Sequence, residues 1–244
     1  MLRVAGGKLA EVLRIVATRA VPGTSALELD QLAEREIRAR GALPLFLQYD
    51  PGDAPYPYPA TLCVSVNDEV VHGIPTAERV LRDGDIVSLD IGLLYEGYSA
   101  DMATTIIVGE GDADAWRLVK GTKEALDAAI GAAKAGGHIG DIGAAVAEVA
   151  KKYDLTVVRD LGGHGTGKKE FHEEPYIANF GSRGQGEKIV AGHVLALEPI
   201  FALGSGAIKL AQDGWTYRTR DHSRAAHFEH TIIVGESGAE VVTV

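Results

Sequence analysis

The start of the chain predicts two amphipathic helices. Apolar residues recur at helical spacing through residues 1–20, and the Val-Pro-Gly at 21–23 ends that segment. A second helix is expected to begin next, because Ser25 and Glu28 form the Ser-x-x-Glu pattern of a capping box. Its apolar periodicity stops at Gly41, a residue that favours helix ends.

The segment 44–60 interrupts regular structure. It holds five prolines, each without a backbone N–H, so neither a helix nor a paired strand is expected. Tyr49, Tyr56 and Tyr58 lie among these prolines. We predict a long surface loop.

Beyond this loop, short apolar runs rich in β-branched residues alternate with Ala-rich runs of helical spacing. The first kind predicts strands and the second predicts helices. The predicted strands are 62–66, 86–94, 98–108, 155–158, 194–201 and 228–234, and the predicted helices are 112–135 and 139–153.

Two local repeats indicate a duplicated architecture. The sequence Thr-Thr-Ile-Ile-Val-Gly-Glu at 104–110 recurs as His-Thr-Ile-Ile-Val-Gly-Glu at 230–236. More loosely, residues 83–90 resemble residues 190–198, and each of these segments ends in a carboxylate within an apolar run. The alternative is that β-rich strands simply look alike. We interpret the repeats as two related halves, each placing one carboxylate centrally.

Composition limits the class of protein. The chain has 244 residues, of which 46% are hydrophobic and 24% charged, with a formal net charge of −10, as in globular proteins. The acidic balance argues against nucleic-acid binding, which rests on clustered Lys and Arg. No apolar run approaches the roughly 18 residues of a membrane span, so no membrane contact and a cytoplasmic location are expected. The single cysteine excludes an internal disulfide framework and a Cys-rich metal site.

Asp90 and Asp101 are the first candidates for chemistry. If Glu96 and Gly97 form a two-residue hairpin turn, Gly92 faces Asp101, and the two aspartates become diagonal neighbours on one face. Two like charges in a half-buried sheet require a proton or a cation between them, and a divalent cation is the simplest answer. The alternative is that each carboxylate pairs separately with an arginine or reaches solvent.

Three further residues extend this set. Glu198 and Glu229 lie in predicted strands, and His164 is expected on a glycine-rich loop, Gly-Gly-His-Gly-Thr-Gly at 162–167. Four carboxylates and one imidazole are enough for two divalent ions, and this donor set suits Mn, Fe, Co or Zn.

His72 and His172 are additional candidates because both lie beside predicted turns, where catalytic side chains are often presented. Packing or surface exposure is the ordinary alternative for each. Residues 162–169 are one hydroxyl short of a phosphate-binding loop, since its last position is a lysine, and nucleotide binding is not expected.

Taken together, these residues resemble the type I methionine aminopeptidases, a branch of the metal-dependent "pita-bread" peptidases. The resemblance runs over nearly the whole chain. The matching segments are 65–75 (Ser-Val-Asn-Asp-Glu-Val-Val-His-Gly-Ile-Pro), 83–90, 163–167 (Gly-His-Gly-Thr-Gly), 171–175 (Phe-His-Glu-Glu-Pro), 197–199 (Leu-Glu-Pro), 213–215 (Asp-Gly-Trp) and 229–232 (Glu-His-Thr-Ile).

The resemblance implies an α+β pita-bread fold, in which a pseudo-two-fold antiparallel β-sheet core is covered by helices. It also implies that residues 1–244 form a single metallopeptidase catalytic domain of two related halves. The implied activity is metal-dependent removal of the initiator methionine from nascent polypeptides with a small second residue. Their N-termini are the implied partners, with transient ribosome contact, and a monomer is expected.

Roles for individual residues follow from the same resemblance. Asp101 and Glu229 would bridge two divalent metal ions, Asp90 would bind one ion, and His164 and Glu198 would bind the other. A metal-bound hydroxide would attack the first peptide bond, with Glu198 transferring protons. His172 would stabilise the oxyanion and His72 would contact the peptide nitrogen, so both bind substrate.

The methionine pocket is implied to have Cys63, Phe171 and Trp215 in its wall, a soft apolar lining suited to a thioether. The segment 49–59 differs from the short segment usual in the family, and either Tyr56 or Tyr58 could supply the tyrosine of the pocket.

Two other functions remain open at this point. A sister peptidase of the same fold, such as an X-Pro aminopeptidase or prolidase, would cleave before proline, but residues 67–75 look like the methionine branch. A non-catalytic pita-bread module that binds protein or RNA would usually lose metal ligands, whereas all five are present here.

Overall fold

A computed structural model describes residues 1–52, 54–168 and 172–244. Its helices are α1 (Leu2–Arg19), α2 (Ala26–Ala39), α3 (Ala113–Ala132) and α4 (Ile139–Lys152). Its strands are β1 (Leu43–Pro44), β2 (Leu62–Val66), β3 (Glu69–Val71), β4 (Ile86–Tyr95), β5 (Tyr98–Ile107), β6 (Thr156–Val157), β7 (Gly162–Gly165), β8 (Glu173–Ala178), β9 (Val194–Leu197), β10 (Ile200–Ala202), β11 (Ile208–Leu210), β12 (Tyr217–Thr219), β13 (Ala225–His227), β14 (Glu229–Val234) and β15 (Ala239–Val241).

The four helices lie where the apolar periodicity predicts them. The capping box of α2 is formed: the Ser25 hydroxyl accepts from the Glu28 N–H at 3.3 Å, and the Glu28 carboxylate accepts from the Ser25 N–H at 2.8 Å. Asp112 caps α3 by accepting from the Ala115 N–H at 2.7 Å. These side chains satisfy amide groups that a helix start leaves without partners, so the predicted helix starts are confirmed.

A nine-stranded antiparallel sheet forms the centre of the molecule. Its strand order is β1-β4-β5-β14-β9-β7-β8, with β2 paired to β4 and β15 paired to β14. Two three-stranded sheets, β13-β10-β6 and β11-β12-β3, complete the β structure of the described residues. The repeated segments overlap β4, β5, β9 and β14, and β14 is inserted between β5 and β9.

The two faces of the central sheet have different surroundings. Along β4, Val87, Leu89, Ile91 and Leu93 are buried against the apolar sides of α1 and α2. Asp90 points the other way, because neighbouring residues of a strand face opposite sides. A second apolar cluster joins α3 and α4 to β9 and β14. The helices therefore cover one face and leave the carboxylates on the other.

Two predictions about individual elements are wrong. The predicted strand 194–201 is divided at Glu198 and Pro199, so β9 belongs to the central sheet and β10 to a small one; Glu198 lies between strands and not within one. Proline lacks the N–H that a continuous ladder requires. His164 was expected on a loop but lies in β7.

The segment 44–60 is also more than a surface loop. Phe46, Tyr58 and Ala60 are buried, and they pack with Cys63 and Trp215 in a separate apolar cluster. Aromatic side chains bury enough apolar area to fold an irregular backbone onto the protein.

The α+β class, with an antiparallel sheet covered by helices, is confirmed. Among the described residues, no helix is long and apolar enough to cross a membrane.

Candidate metal centre and substrate cavity

The β4–β5 hairpin has the register that the sequence predicts. Gly92 lies opposite Asp101, Tyr95 lies opposite Tyr98, and Asp90 lies opposite Ala103. Asp90 and Asp101 are thus diagonal neighbours on the face away from α1 and α2, and both are buried. One oxygen of Asp90, Oδ1, is buried without a hydrogen-bond partner.

Glu229 and His164 join this pair from two other strands. Glu229 lies at the start of β14, opposite Ala103, and His164 lies on β7, opposite Ala196. One donor atom each from Asp101, His164 and Glu229 lie within 4.8 Å of one another. Strands β5, β14 and β7 therefore bring Asp101, Glu229 and His164 together, and Asp90 on β4 lies outside this cluster as the diagonal neighbour of Asp101.

The positions on either side of His164 require glycine for a steric reason. A Cβ on Gly163 would lie 2.2 Å from the carbonyl oxygen of Ala196, and one on Gly165 would lie 2.1 Å from that of Glu174. Only glycine permits strands β8 and β9 to approach the backbone this closely. The Gly-His-Gly sequence thus lets β7 carry His164 between two close neighbours.

Glu198 completes the predicted ligand set from the short connection between β9 and β10. Its Oε1 lies 3.7 Å from His164 Nε2. The backbone is held in place because Asn179 Nδ2 donates to the Glu198 carbonyl oxygen at 2.9 Å.

Burial and neighbouring negative charge raise the pKa values of the buried carboxylates Asp90, Asp101 and Glu229. Burial raises the pKa of Asp90 to about 7. Burial, and then the charges of neighbouring carboxylates, raise the pKa of Asp101 and of Glu229 well above the usual range. In the described part of the chain no lysine or arginine forms an ion pair with Asp90, Asp101 or Glu229, so the alternative of separate arginine partners is wrong there.

A divalent cation fits this arrangement. Asp90 Oδ1 and Glu229 Oε1 are both buried without a hydrogen-bond partner, and positive charge would offset the cost of burying their carboxylates. The donor atoms are oxygen and imidazole nitrogen, the set preferred by Mn, Fe, Co and Zn over thiolate-binding ions.

His72 and His172 lie on the cavity wall near this cluster. His72 follows β3 with a positive φ of 57°, and its ring packs edge-on against Trp215 and Tyr217. The ring of His172 lies edge-on to that of His164, with centroids 4.5 Å apart. Burial lowers the pKa of His72 to about 4 and that of His172 to about 3, so both imidazoles are neutral near pH 7.

A cavity of about 470 Å³ connects these groups. One end of the cavity is apolar, with the rings of Tyr58 and Trp215 in edge-to-face contact and their centroids 5.1 Å apart. Besides the predicted residues Cys63, His72, Asp90, Asp101, His164, His172, Glu198, Trp215 and Glu229, it is lined by Phe46, Tyr49, Tyr58, Val71, Leu161, Gly162, Glu173, Glu174, Tyr176 and His227.

Of the two tyrosines that the sequence left open, Tyr58 lines the cavity and Tyr56 does not. Tyr58 is buried in the cavity wall and donates to the carbonyl oxygen of Gly73 at 3.1 Å. Tyr56 is instead largely exposed and donates to the carbonyl oxygen of Asp213. Burial raises the pKa of Cys63 well above its usual range, so its side chain is a neutral thiol. Phe171 lies outside the described residues.

Sequence reasoning missed several residues of the cavity, among them Phe46, Tyr49, Tyr176 and His227. Phe46 and Tyr49 come from the proline-rich segment, whose composition gives no sign of burial. His227 begins the His-Phe-Glu-His sequence around Glu229, and its place two residues before that carboxylate on an extended chain was the available signal.

Comparisons with known proteins agree with this geometry. Residues 1–236 match the model of metallopeptidase family M24. The methionine aminopeptidase of Aquifex aeolicus is 44% identical over 99% of this chain and 94% of its own length.

Solved structures give the same picture. That of a methionine aminopeptidase from Thermotoga maritima superposes with a TM-score of 0.94 at 41% identity, covering 99% of this chain and 94% of its own. A prolidase from Pyrococcus furiosus has a TM-score of 0.75 at 20% identity, covering 100% of this chain and 63% of its own, which shows a shared fold alone. The chain therefore belongs to metallopeptidase family M24.

Proposed function

We propose that this protein is a divalent-metal-dependent aminopeptidase that removes the N-terminal methionine from polypeptides with a small second residue. One observation carries the proposal: the cluster of Asp101, His164 and Glu229 lies in the same cavity as an apolar pocket that contains Tyr58 and Trp215. A peptide whose first residue fills the pocket would place its first peptide bond beside the cluster.

The metal centre is proposed to hold two ions of Mn, Fe, Co or Zn. Asp101 and Glu229 would bridge them, Asp90 would bind one, and His164 and Glu198 would bind the other. When bound, such ions polarise a carbonyl group and lower the pKa of water to near neutrality. The buried, partnerless oxygens of Asp90 and Glu229 support this assignment.

The apolar end of the cavity is proposed to bind the methionine side chain. Cys63, Tyr58 and Trp215 offer a soft, aromatic wall, and sulfur makes favourable contacts with ring edges. The neutral Cys63 thiol adds no charge to the pocket, as an apolar thioether requires.

The two histidines are proposed to form hydrogen bonds with the substrate, His172 as a donor and His72 as an acceptor. His172 would donate to the oxygen of the scissile carbonyl as negative charge develops on it, and His72 would contact the peptide nitrogen. Their lowered pKa values keep both rings neutral at pH 7, so each ring has one N–H that donates and one nitrogen that accepts. His72 would use its acceptor nitrogen for the peptide N–H. Glu198 would accept a proton from water and return it to the leaving amine.

The natural substrates would be the N-termini of nascent polypeptides. Residues 1–244 would act as one catalytic domain of two related halves, in the cytoplasm, as a monomer that contacts the ribosome transiently. The pairing of the repeated strands β5 and β14 at the centre of the sheet supports the two halves.

Peptide hydrolysis tests the proposed function. Chelator-stripped protein is loaded with Mn²⁺ or Co²⁺ and given Met-Ala-Ser, Met-Pro and Ala-Pro peptides, with Asp101→Asn as the inactive control. We expect metal-dependent release of free methionine from Met-Ala-Ser. Faster cleavage of Ala-Pro would indicate an X-Pro peptidase instead, and no cleavage with Mn, Fe, Co or Zn would favour a non-catalytic binding module.

A further inference from the structure

His227 is a buried imidazole that the proposed mechanism does not use. It is 2% exposed and lines the cavity at the end of β13. Within the described chain, neither of its ring nitrogens has a hydrogen-bond partner. A buried polar group without a partner costs about 1 to 3 kcal/mol, so its presence here requires an explanation.

The surroundings of His227 point to Glu198. Its Nε2 lies 3.5 Å from Glu198 Oε2 and 3.9 Å from Glu229 Oε2. The other oxygen of Glu198, Oε1, lies 3.7 Å from Nε2 of His164. One carboxylate thus lies between two imidazoles, and each of its oxygens faces a different ring.

The strand registers give independent support. Gly92 pairs with Asp101 between β4 and β5, and Ile200 pairs with His227 between β10 and β13. The shift that aligns residues 104–110 with 230–236 also aligns Asp101 with His227.

The second repeat gives the same correspondence between the two halves of the chain. The shift that aligns Asp90 with Glu198 also aligns Gly92 with Ile200. His227 therefore has the same place relative to Glu198 that Asp101 has relative to Asp90. In the second half of the chain, a hydrogen-bond donor takes the position that a carboxylate takes in the first half.

We propose that His227 is a positioning residue, whose Nε2–H holds Oε2 of Glu198 and thereby leaves Oε1 for the metal ion on the His164 side. The proposal rests on the proposed function. A ligand whose second oxygen is held in this way loses less rotational freedom when the ion binds, and residues that orient ligands typically change metal affinity by about 10- to 100-fold.

Three variants test whether His227 acts as a hydrogen-bond donor or only fills space. His227→Gln keeps an amide N–H near the position of Nε2, His227→Leu keeps similar volume without a donor, and His227→Asn keeps a donor with shorter reach. Calorimetric titration of chelator-stripped protein with Co²⁺ measures metal affinity without substrate. The absorption spectrum of bound Co²⁺ reports its coordination.

We expect His227→Leu and His227→Asn to bind Co²⁺ about 10- to 100-fold more weakly than wild type, and His227→Gln to stay within about 3-fold. With Met-Ala-Ser, kcat should fall for His227→Leu while KM stays unchanged, since the methionine pocket is intact. If His227→Leu does not fold, the contrast between the Gln and Asn variants still tests the donor.

Several results would overturn the proposal. Equal Co²⁺ affinity for wild type and the Leu and Asn variants would show that His227 only fills space. A Co²⁺ spectrum altered in His227→Gln as strongly as in His227→Leu would make the imidazole a metal ligand. Wild type that binds Co²⁺ but releases no methionine contradicts the proposed function alone, whereas wild type that binds no Co²⁺ contradicts both.

Discussion

Asp101 lies opposite Gly92 in the β4–β5 hairpin, so it is a diagonal and not a direct neighbour of Asp90. Directly opposed residues have Cβ atoms about 5 Å apart, whereas diagonal pairs are about 7 to 8 Å apart and still within reach of each other's side chains. A cation fits between two carboxylates at the larger spacing. Gly92 lets Leu45 and Phe46 pack closely against the hairpin, because a Cβ there would lie 2.8 Å from Phe46 Cε1 and 3.0 Å from Leu45 Cδ2.

Replacing Asp101 by Asn should have opposite effects on activity and on stability. Loss of a bridging carboxylate should reduce methionine release by more than about 100-fold. In the metal-free protein at pH 7, however, the variant should be more stable by about 2 kcal/mol, because a buried group with a strongly raised pKa is removed. Peptide hydrolysis and chemical unfolding measure the two effects.

Asp127→Asn provides the control for this comparison, since Asp127 lies on the exposed side of α3 and is removed from the cavity. Asp127→Asn should change neither methionine release nor the stability of the metal-free protein. Lower stability of metal-free Asp101→Asn would contradict the view that the carboxylates repel one another without an ion.

Removing the indole of Trp215 should weaken binding of the first residue of the substrate. The Trp215 ring forms the pocket wall with Tyr58, and its Nε1–H donates to the carbonyl oxygen of Tyr56 at 3.0 Å. In Trp215→Ala, we expect KM for Met-Ala-Ser to rise about 10-fold, since about 1.4 kcal/mol of apolar contact is lost.

The chain contains its own matched control for this substitution. Trp116 is 58% exposed on α3, and Trp116→Ala should leave KM unchanged. An unchanged KM in Trp215→Ala would place the methionine side chain elsewhere.

Tyr49 should determine which nitrogen of His172 carries the proton. Its hydroxyl lies 3.0 Å from His172 Nδ1. If Tyr49 donates there, the proton of the neutral ring is on Nε2, the form needed for donation to a substrate oxygen. In Tyr49→Phe, kcat should fall about 5-fold, with little change in KM. This factor corresponds to the roughly 1 kcal/mol that one ordinary hydrogen bond contributes.

Tyr98→Phe tests whether loss of any tyrosine hydroxyl has this effect, because Tyr98 is exposed at the hairpin turn. A kcat for Tyr49→Phe equal to that of wild type would show that His172 is oriented by other contacts.

His72 should make the stability of the metal-free protein depend on pH. Its pKa is lowered from 6.5 to about 4 by burial, so between these values the unfolded state binds more protons than the folded state. The contribution of neutral His72 to the free energy of unfolding is fully present above pH 6.5 and is lost as the pH falls toward 4. From pH 7 to pH 5, wild type should lose about 2 kcal/mol more than His72→Gln.

Urea unfolding of both proteins at the two pH values checks this prediction. Taking the difference between wild type and variant cancels the titration of the carboxylates, which changes stability in the opposite direction. Equal losses in both proteins would show that the imidazole is solvated in the folded state.

Local patterns predicted the parts of the fold that local physics determines. The capping box of Ser25 and Glu28 starts α2, and the turn at Glu96 and Gly97 fixes the register of the hairpin that places Asp101. Both depend on residues only a few positions apart. The five proposed ligands follow from the same logic together with the family resemblance.

The rest depends on contacts between distant segments. Tyr58 is buried because Trp215 packs on it from far along the chain, and prolines around Tyr58 gave no sign of this. The carboxylate nearest to His227 comes from the β9–β10 connection, and the repeats that relate these two residues to Asp101 and Asp90 do not by themselves show that they are close. Pairings of this kind become visible only when the sheet order is known.

The insertion of β14 between β5 and β9 means that a strand from late in the chain completes the middle of the central sheet. When the segments through β9 have been synthesised, Asp90, Asp101 and His164 exist, but the middle strand of the sheet and Glu229 do not. The pairing of β14 with β5 joins segments that are far apart in sequence, so the entropy of loop closure is lost before these contacts form. High metal affinity should therefore arise only at the end of folding, so that an incompletely folded chain has no hydrolytic activity.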